Sequence, residues 1–188
     1  MKIESYEIND NLLRKNYYRT ALPRSLGPSA PLKRFEKFRR VNDIHIRSVL
    51  DYGAGKCRDK KFCLQKYDKY IPHDIHKPFR ICQPKVILEK KYDLIIFNYI
   101  LNIIIPEDRK KIVRTIKHYL HKGSIILLAV RTRSEKRDIK RGWIKYKDGW
   151  VTTRLTFQHF FEDSEIYRLF RKSTQKIENL GRGTYILF

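Results

Sequence analysis

Residues 49–55 read Val49-Leu50-Asp51-Tyr52-Gly53-Ala54-Gly55, a short apolar run that ends in an acid and two glycines. The apolar residues before the acid favour a buried β-strand, which we predict at residues 48–52. Glycine has no side chain, so the backbone at Gly53 and Gly55 can turn at positive φ and approach a ligand closely. A strand followed by such a turn is typical of ligand sites at the carboxyl end of a parallel sheet.

Strands and helices alternate along the rest of the chain, which predicts an α/β fold with a mostly parallel sheet. We predict further strands at about 70–75, 86–88, 92–99 and 125–130, and helices at about 4–15, 31–40, 59–67, 106–122 and 155–171. A hairpin is predicted at 143–152, around a Lys-Asp-Gly turn. No helix separates the last two predicted strands, 176–180 and 184–188, so we expect them to form an antiparallel pair at the sheet edge.

The length and composition predict one intracellular domain. The 188 residues include 41% hydrophobic residues, enough for a packed core. We expect residues 1–40 to form an N-terminal extension with a basic helix and residues 41–188 to form the core. No apolar run is long enough to span a membrane and the N-terminus does not resemble a signal peptide, so we predict a cytoplasmic protein.

The three cysteines, Cys57, Cys63 and Cys82, suit a reducing compartment. None is spaced as in a zinc site, so we predict no bound metal.

The charge points to a polyanionic partner. The chain has 42 Lys and Arg against 20 Asp and Glu, a formal net charge of +22. Such a surface repels itself, and nucleic acid relieves that repulsion while releasing counterions. Two alternatives stay open. The composition can reflect an AT-rich coding bias, or the partner can be an anionic membrane, although no separate basic amphipathic helix favours a membrane.

Three polar residues follow predicted strands and therefore meet at one edge of the sheet. Asp51 ends the first strand, Asp74 the second and Asn98 the strand at 92–99. An acid at the position of Asp74 can accept hydrogen bonds from both hydroxyls of a ribose. The position of a third glycine in a dinucleotide-binding turn holds Arg58, which disfavours a nicotinamide cofactor. The absence of Gly-Lys-Ser/Thr excludes a P-loop.

Several segments together resemble a known family. Residues 51–59, Asp-Tyr-Gly-Ala-Gly-Lys-Cys-Arg-Asp, are similar to the first motif of class I S-adenosylmethionine-dependent methyltransferases. Asn98-Tyr99-Ile100-Leu101-Asn102-Ile103-Ile104 and Ala129-Val130-Arg131 narrow the resemblance to methyltransferases associated with DNA phosphorothioation clusters and to their phage and viral relatives. Segments 19–24 and 149–158 resemble the same group, so the similarity extends over about residues 18–161.

The resemblance implies a single-domain, Rossmann-like class I methyltransferase fold that binds S-adenosyl-L-methionine. Gly53 and Gly55 would contact the methionine part of this cofactor, Asp51 its amino group and Asp74 its ribose. The family often has a third glycine two residues after the second. This chain has Cys57 there, so the following helix would approach the cofactor less closely.

The resemblance also assigns the acceptor end of the site. Asn98, Tyr99 and Leu101 would line the floor near the transferred methyl group, with Asn98 and Tyr99 as the catalytic residues. Nucleic-acid amino-methyltransferases have Asp/Asn-Pro-Pro-Tyr at this strand end. Here the asparagine matches but the prolines are missing, which weakens the case for methylation of a base nitrogen. Cytosine C5 methylation would need a nucleophilic cysteine, which follows a proline in that family, and the chain contains no Pro-Cys pair.

The segment from Arg131 to Arg154 is the main candidate for substrate contact. It contains nine basic and three acidic residues, interleaved with aromatic residues, and this mixture suits phosphate contact and base stacking. We name Arg131, Trp143 and Arg154 there, and Arg19 near the N-terminus, as substrate-binding candidates. The alternative is a solvated loop whose tryptophans pack on the core. We also predict that residues 17–20 fold over the cofactor.

The histidines have two interpretations each. His118 and His121 are three residues apart on a predicted helix, and they are either a metal pair or two residues that stabilise its C-terminal dipole. His73 and His76 flank Asp74 and are either site residues or surface residues.

Three functions are compatible with the sequence. The first is an S-adenosylmethionine-dependent methyltransferase that acts on DNA or RNA. The second is a non-catalytic nucleic-acid-binding or accessory protein with a decayed methyltransferase fold. The third is a methyltransferase for small molecules or proteins.

Overall fold

The computed structural model describes residues 7–76, 91–171 and 174–188. Its helices are α1 (Asp10–Asn16), α2 (Ala30–Val41), α3 (Lys60–Lys66), α4 (Pro106–Lys117) and α5 (Asp163–Phe170). Short 3-10 turns lie at Tyr17–Thr20, Arg24–Leu26, Leu101–Ile103 and Arg133–Asp138. The strands are β1 (Ser48–Tyr52), β2 (Lys69–His73), β3 (Leu94–Asn98), β4 (Ile125–Ala129), β5 (Ile144–Tyr146), β6 (Gly149–Val151), β7 (Phe157–Gln158), β8 (Ile177–Asn179) and β9 (Thr184–Leu187). Among the helices in these ranges, none is both long and apolar enough to cross a membrane.

Six strands form the main sheet in the order β2-β1-β3-β4-β9-β8. The first four are parallel, while β9 runs antiparallel to both β4 and β8. A second sheet of three antiparallel strands, β5-β6-β7, follows β4 in the chain. The predicted α/β class, the mostly parallel sheet and the antiparallel C-terminal pair are confirmed. The predicted strand at 86–88 lies outside the described residues.

The core lies on both faces of the main sheet. In β3, Leu94 and Ile96 belong to one buried cluster and Ile95 and Phe97 to the other. Successive side chains of a strand point to opposite faces, so the unbroken apolar run at 94–97 is what a doubly covered strand requires. Full burial of each such side chain stabilises the fold by about 1.5–3 kcal/mol.

The helix predicted at 155–171 is wrong in its first half. Leu155 has a φ of +57°, a left-handed conformation that a helix does not allow. Residues 157–158 form β7, which pairs with β6. The helix begins only at Asp163, after Glu162 and Glu165 form a capping box. Aromatic residues in this segment are buried against the small sheet, and their spacing fits a short strand and turn as well as a helix.

The helix that begins at Pro106 also ends earlier than predicted, at Lys117. His121 therefore lies beyond the last turn, and the helix dipole does not explain it. Its Nε2 is 3.0 Å from Oδ1 of Asp93, whose other oxygen accepts a hydrogen bond from the backbone N–H of Ser48. His121 thus belongs to a clamp at the amino ends of β1 and β3, opposite the strand ends that carry the site.

Candidate functional site

A cavity of about 800 Å³ opens at the carboxyl ends of β1, β2 and β3. In a sheet of this kind the ligand is expected at that edge, because the loops that leave the strands diverge there. The lining also includes Ser29, which precedes α2, and five residues of the N-terminal segment, namely Tyr17, Tyr18, Thr20, Ala21 and Leu22. The N-terminal extension is therefore part of the cavity.

The glycine turn forms one side of this cavity. The backbone N–H groups of Gly53 and Ala54 both donate to the carbonyl oxygen of His73, at 2.8 and 3.0 Å, and so tie the turn to the end of β2. Gly53 has a φ of +81°, and a Cβ atom there would collide with the side chain of Ile100. Gly55 has a φ of +51°, and a Cβ atom there would lie 2.9 Å from Cβ of Ala21. Both positions therefore require glycine.

Cys57 stands where the resemblance predicts a third glycine, and its backbone is left-handed. Its φ is +54°, within the left-handed region that glycine adopts most easily. Its N–H donates to the carbonyl oxygen of Ala54 at 2.7 Å, which closes the turn. The turn therefore keeps a glycine-like conformation at a buried cysteine.

Asp51 is the most unusual ionisable group in the cavity wall. It is 6% exposed, and Tyr70 donates its hydroxyl to Oδ2 at 2.6 Å. The pKa of Asp51 is raised to about 7, chiefly by burial, against the opposing effect of the Tyr70 hydrogen bond and with smaller contributions from the charges of Asp59 and Asp74. Among the described residues, no Lys or Arg forms an ion pair with this carboxyl group.

Asp74 holds the turn in place. Its Oδ2 accepts a hydrogen bond from the N–H of Gly55 and its Oδ1 one from the N–H of His76, both at 2.9 Å. Each carboxylate oxygen has a second lone pair. Asp74 can therefore fix the loop and still accept hydrogen bonds from a ligand.

Asn98 is oriented by residues from two other segments. Asp59 accepts both the N–H and the hydroxyl of Ser29, at 2.6 and 2.8 Å. Because the Ser29 hydroxyl donates to Asp59, it can only accept from Asn98, whose Nδ2 lies 3.5 Å from it. The side-chain oxygen of Asn98, Oδ1, is buried and accepts no hydrogen bond within the described structure. An unpaired buried acceptor costs about 1–3 kcal/mol.

Two further amide residues line the cavity, Asn102 and Gln158. Nδ2 of Asn102 lies 3.3 Å from Oε1 of Gln158, and its own carbonyl oxygen has no partner in the described part of the chain. We did not single out either residue in the sequence. Both lie in the segments that carry the family resemblance, 98–104 and 149–158, and that position is the feature of the sequence that indicates a place in the site.

The structure brings most of the predicted site residues to this cavity. The lining contains Asp51, Gly53, Gly55, Asp74, Asn98, Tyr99 and Arg131. Residues 17, 18 and 20 also line it, in the place predicted for a covering segment.

Four predicted residues lie elsewhere. Leu101 is fully buried in the hydrophobic core, so its placement on the cavity floor is wrong. In the 3-10 turn its neighbours Ile100 and Asn102 line the cavity instead. Trp143, Arg154 and Arg19 are not among the lining residues, and no substrate contact follows from their positions.

The covering segment is held by one carboxylate at the start of α4. Asp108 accepts two hydrogen bonds from the guanidinium of Arg14, at 2.8 and 3.2 Å, and one from the hydroxyl of Tyr17 at 3.2 Å. That hydroxyl also accepts the N–H of Ile105 at 3.1 Å. These bonds fix the segment across the cavity.

No group of three or more His, Cys, Asp or Glu side chains within the described ranges is arranged to hold a metal ion. His73 and His76 both line the cavity, and burial lowers the pKa of His73. His73 is therefore neutral at physiological pH.

The amino-acid sequence matches no protein-family model and no curated protein. Solved structures are similar at low identity. The first is the 1,6-didemethyltoxoflavin-N1-methyltransferase of Burkholderia thailandensis, with 1,6-didemethyltoxoflavin and S-adenosylhomocysteine bound. It is 15% identical with a TM-score of 0.59, over 84% of this chain and 76% of that one. The sugar N-methyltransferase KedS8 from a Streptoalloteichus species is 9% identical with a TM-score of 0.64, over 85% and 86%. DesVI of Streptomyces venezuelae is 11% identical with a TM-score of 0.63, over 97% and 99%. The chain has the Rossmann-like fold of the class I methyltransferases. Its cavity lies at the strand ends where a fold of this kind binds its ligands.

Proposed function

We propose that this protein is an S-adenosyl-L-methionine-dependent methyltransferase. The observation that carries the proposal is the buried carboxyl of Asp51. Its pKa is raised, and it lies beside a turn in which a Cβ atom at Gly53 or Gly55 would collide with its neighbours. A ligand with an ammonium group and a sulfonium supplies the missing positive charge. The fold and the cofactors of similar structures support the same ligand.

Each residue of the wall would contribute one contact to that cofactor. Asp51 would accept a hydrogen bond from the amino group of the cofactor's methionine part. Asp74 would accept hydrogen bonds from the ribose hydroxyls with the lone pairs that the loop leaves free. Gly53 and Gly55 allow the close approach. When bound, the sulfonium supplies the methyl group.

The protein's task is then to place the acceptor in line with the S–CH₃ bond and to exclude water. Oδ1 of Asn98 would accept a hydrogen bond from an N–H of the substrate, and this bond would orient the lone pair of the substrate nitrogen. The covering segment, residues 17–20, would shield the reacting atoms from water.

Calorimetry with S-adenosylhomocysteine tests the cofactor, and transfer of a labelled methyl group tests the reaction. We expect binding that Asp74→Ala weakens at least tenfold, since two charge-assisted hydrogen bonds are lost. Lys61→Ala, in the exposed part of α3, is the matched surface control and should bind normally. No binding at millimolar ligand would refute the proposal.

We further propose that the substrate is a nucleic acid, DNA or RNA. The net charge of +22 supports this, as does the presence of Lys56, Arg58, Lys111 and Arg131 in the cavity lining. The association with DNA phosphorothioation clusters and their phage and viral relatives, and a cytoplasmic location, remain predictions that fit such a substrate.

A small-molecule substrate is the second candidate. It is favoured by the similar structures, since one binds 1,6-didemethyltoxoflavin and another is a sugar N-methyltransferase. Labelled-methyl transfer to a panel of DNA, RNA and small amines, followed by mass spectrometry of the products, separates the two. Cofactor binding with no transfer to any acceptor would instead support a non-catalytic accessory protein.

A further inference from the structure

Three arginines from separate segments lie near Tyr99, which lines the cavity, and two of them, Arg58 and Arg131, line it as well. Arg34 lies on α2, Arg58 follows the glycine turn and Arg131 follows β4. Arg34 donates to the hydroxyl of Thr184 at 2.8 Å, and Thr184 pairs with Ala129 in the sheet.

Tyr99, which follows β3, is hydrogen-bonded to Ala129, the last residue of β4. The carbonyl oxygen of Ala129 accepts the N–H of Tyr99 at 2.6 Å, so the sheet register brings Arg34 and Tyr99 together. The charges of all three arginines also act on the Tyr99 hydroxyl, where they oppose the rise in its pKa that burial and the nearby Glu135 cause.

Two of the three guanidiniums have no acidic partner. Arg58 uses its Nε to donate to the carbonyl oxygen of Gly27 at 2.7 Å, and Arg34 uses one Nη for Thr184. Neither forms an ion pair with any of the described residues, although both are half-buried. Only Arg131 has a carboxylate nearby, with Glu135 at 3.6 Å. The remaining donors of these two guanidiniums suit the oxygens of a phosphate.

Tyr99 presents an aromatic ring beside these donors. It is 36% exposed at the cavity wall, unlike the buried tyrosines of the core. Its φ of +60° is rare for an aromatic residue and is stabilised here by the short bond to Ala129. The backbone at Tyr99 is therefore held in place at the cavity wall.

We propose that Arg34, Arg58 and Arg131 bind a phosphate of the substrate and that the Tyr99 ring stacks on the adjoining nucleobase. The site thus recognises a phosphate ester next to a base, which either a free nucleotide or a single-stranded nucleic acid supplies. This inference rests on the proposed methyltransferase function and specifies its substrate.

The test measures binding of mixed-sequence single-stranded DNA and RNA 12-mers at several salt concentrations, with S-adenosylhomocysteine present. Adenosine 5′-monophosphate and adenosine serve as competitors. Each phosphate contact on a single strand contributes about 0.7 to the slope of log affinity against log salt. Because the arginines share one phosphate, the double variant Arg34→Gln Arg58→Gln should reduce that slope by about 0.7 in all and weaken binding about fivefold at 0.1 M salt, and each single variant should cause part of this loss. Lys37→Gln, an exposed change on the same helix as Arg34, should leave both unchanged.

The ring is tested with a matched pair. Tyr99→Ala should weaken binding between fivefold and a hundredfold, whereas Tyr99→Phe should retain it, since stacking needs the ring and not the hydroxyl. Arg58→Lys should keep the salt slope and lose part of the affinity, because lysine cannot form the two-pronged contact. These variants preserve packing, and melting temperatures check that they fold.

The competitors distinguish the sources of the phosphate. Competition by the monophosphate but not by adenosine supports the phosphate site, and stronger binding of the 12-mers identifies a strand as its source. Equal competition by both, or an Arg34→Gln Arg58→Gln variant with the affinity and slope of Lys37→Gln, would overturn the proposal. Calorimetry with S-adenosylhomocysteine on the natural protein and on Lys37→Gln should give equal affinity, so failure of the cofactor site is seen separately.

Discussion

Cofactor affinity should depend on pH through Asp51. Its pKa of about 7 in the free protein means that the carboxyl is about 9% ionised at pH 6 and about 91% at pH 8. If only the ionised form accepts the ammonium group, the dissociation constant for S-adenosylhomocysteine should be about tenfold larger at pH 6 than at pH 8. That difference corresponds to about 1.4 kcal/mol. S-adenosylhomocysteine is the better probe, because it keeps the amino group and lacks the sulfonium charge.

Calorimetry in two buffers of different ionisation enthalpy measures the same event directly. Binding at pH 6 should release about 0.9 proton, because Asp51 must ionise, and at pH 8 about 0.1. Asp51→Asn should bind more weakly, with little pH dependence and no such proton release. An equal affinity at both pH values for the natural protein, or the same proton release from Asp51→Asn, would refute this role for Asp51.

The raised pKa also makes a prediction about the stability of the ligand-free protein. A carboxyl whose pKa is higher in the folded state than its value of about 3.9 in the unfolded chain favours folding only while it is protonated. That stability is fully present below about pH 4 and is lost as the pH rises through 7, on the order of 4 kcal/mol in all. Asp51→Asn should therefore raise the melting temperature at pH 8 more than at pH 5.

Two further changes test packing near the site. Gly149→Ala should destabilise the protein by about 2 kcal/mol in urea unfolding, because the new Cβ would collide with the ring of Phe157; a change below 0.5 kcal/mol would contradict this. Arg109→Leu should cost about 2 kcal/mol, since Asp148, which is 35% exposed, loses its partner and the carbonyl oxygen of Leu101 loses a buried donor. Arg114→Leu, an exposed change on the same helix, should stay within about 0.5 kcal/mol.

The predicted elements succeeded where local signals agree with the sheet. The strand before the glycine turn has the predicted bounds, since its apolar residues, its acid and the glycines all point to one structure. The failure at 155–161 has a different origin. Whether that segment forms a strand depends on pairing with β6 and on the left-handed backbone at Leu155, and neither leaves a periodic pattern in the sequence.

Some site residues could likewise be predicted from local sequence signals and others could not. Asp51, Asp74 and Asn98 follow strands, so parallel topology alone brings them to one edge. The roles of Ser29 and Asp59 could not be predicted, because they depend on a contact between residues 30 positions apart in the chain. Serine before a helix normally caps it through its hydroxyl. Here the Ser29 hydroxyl makes no capping bond and donates to Asp59 instead, which only the folded structure reveals.

For a protein of net charge +22 to bind the proposed cationic cofactor, its acidic and basic groups must lie at different depths, and the cavity has that arrangement. Its lining contains five acidic side chains and five Lys or Arg. The acids Asp51, Asp59 and Asp74 are buried in its wall, whereas Lys56 and Lys111 are exposed. Water screens the exposed charges more strongly than the buried ones, so a small cation in the cavity is attracted mainly by the acids. A polyanion outside meets the basic surface first, and one basic protein can therefore bind both.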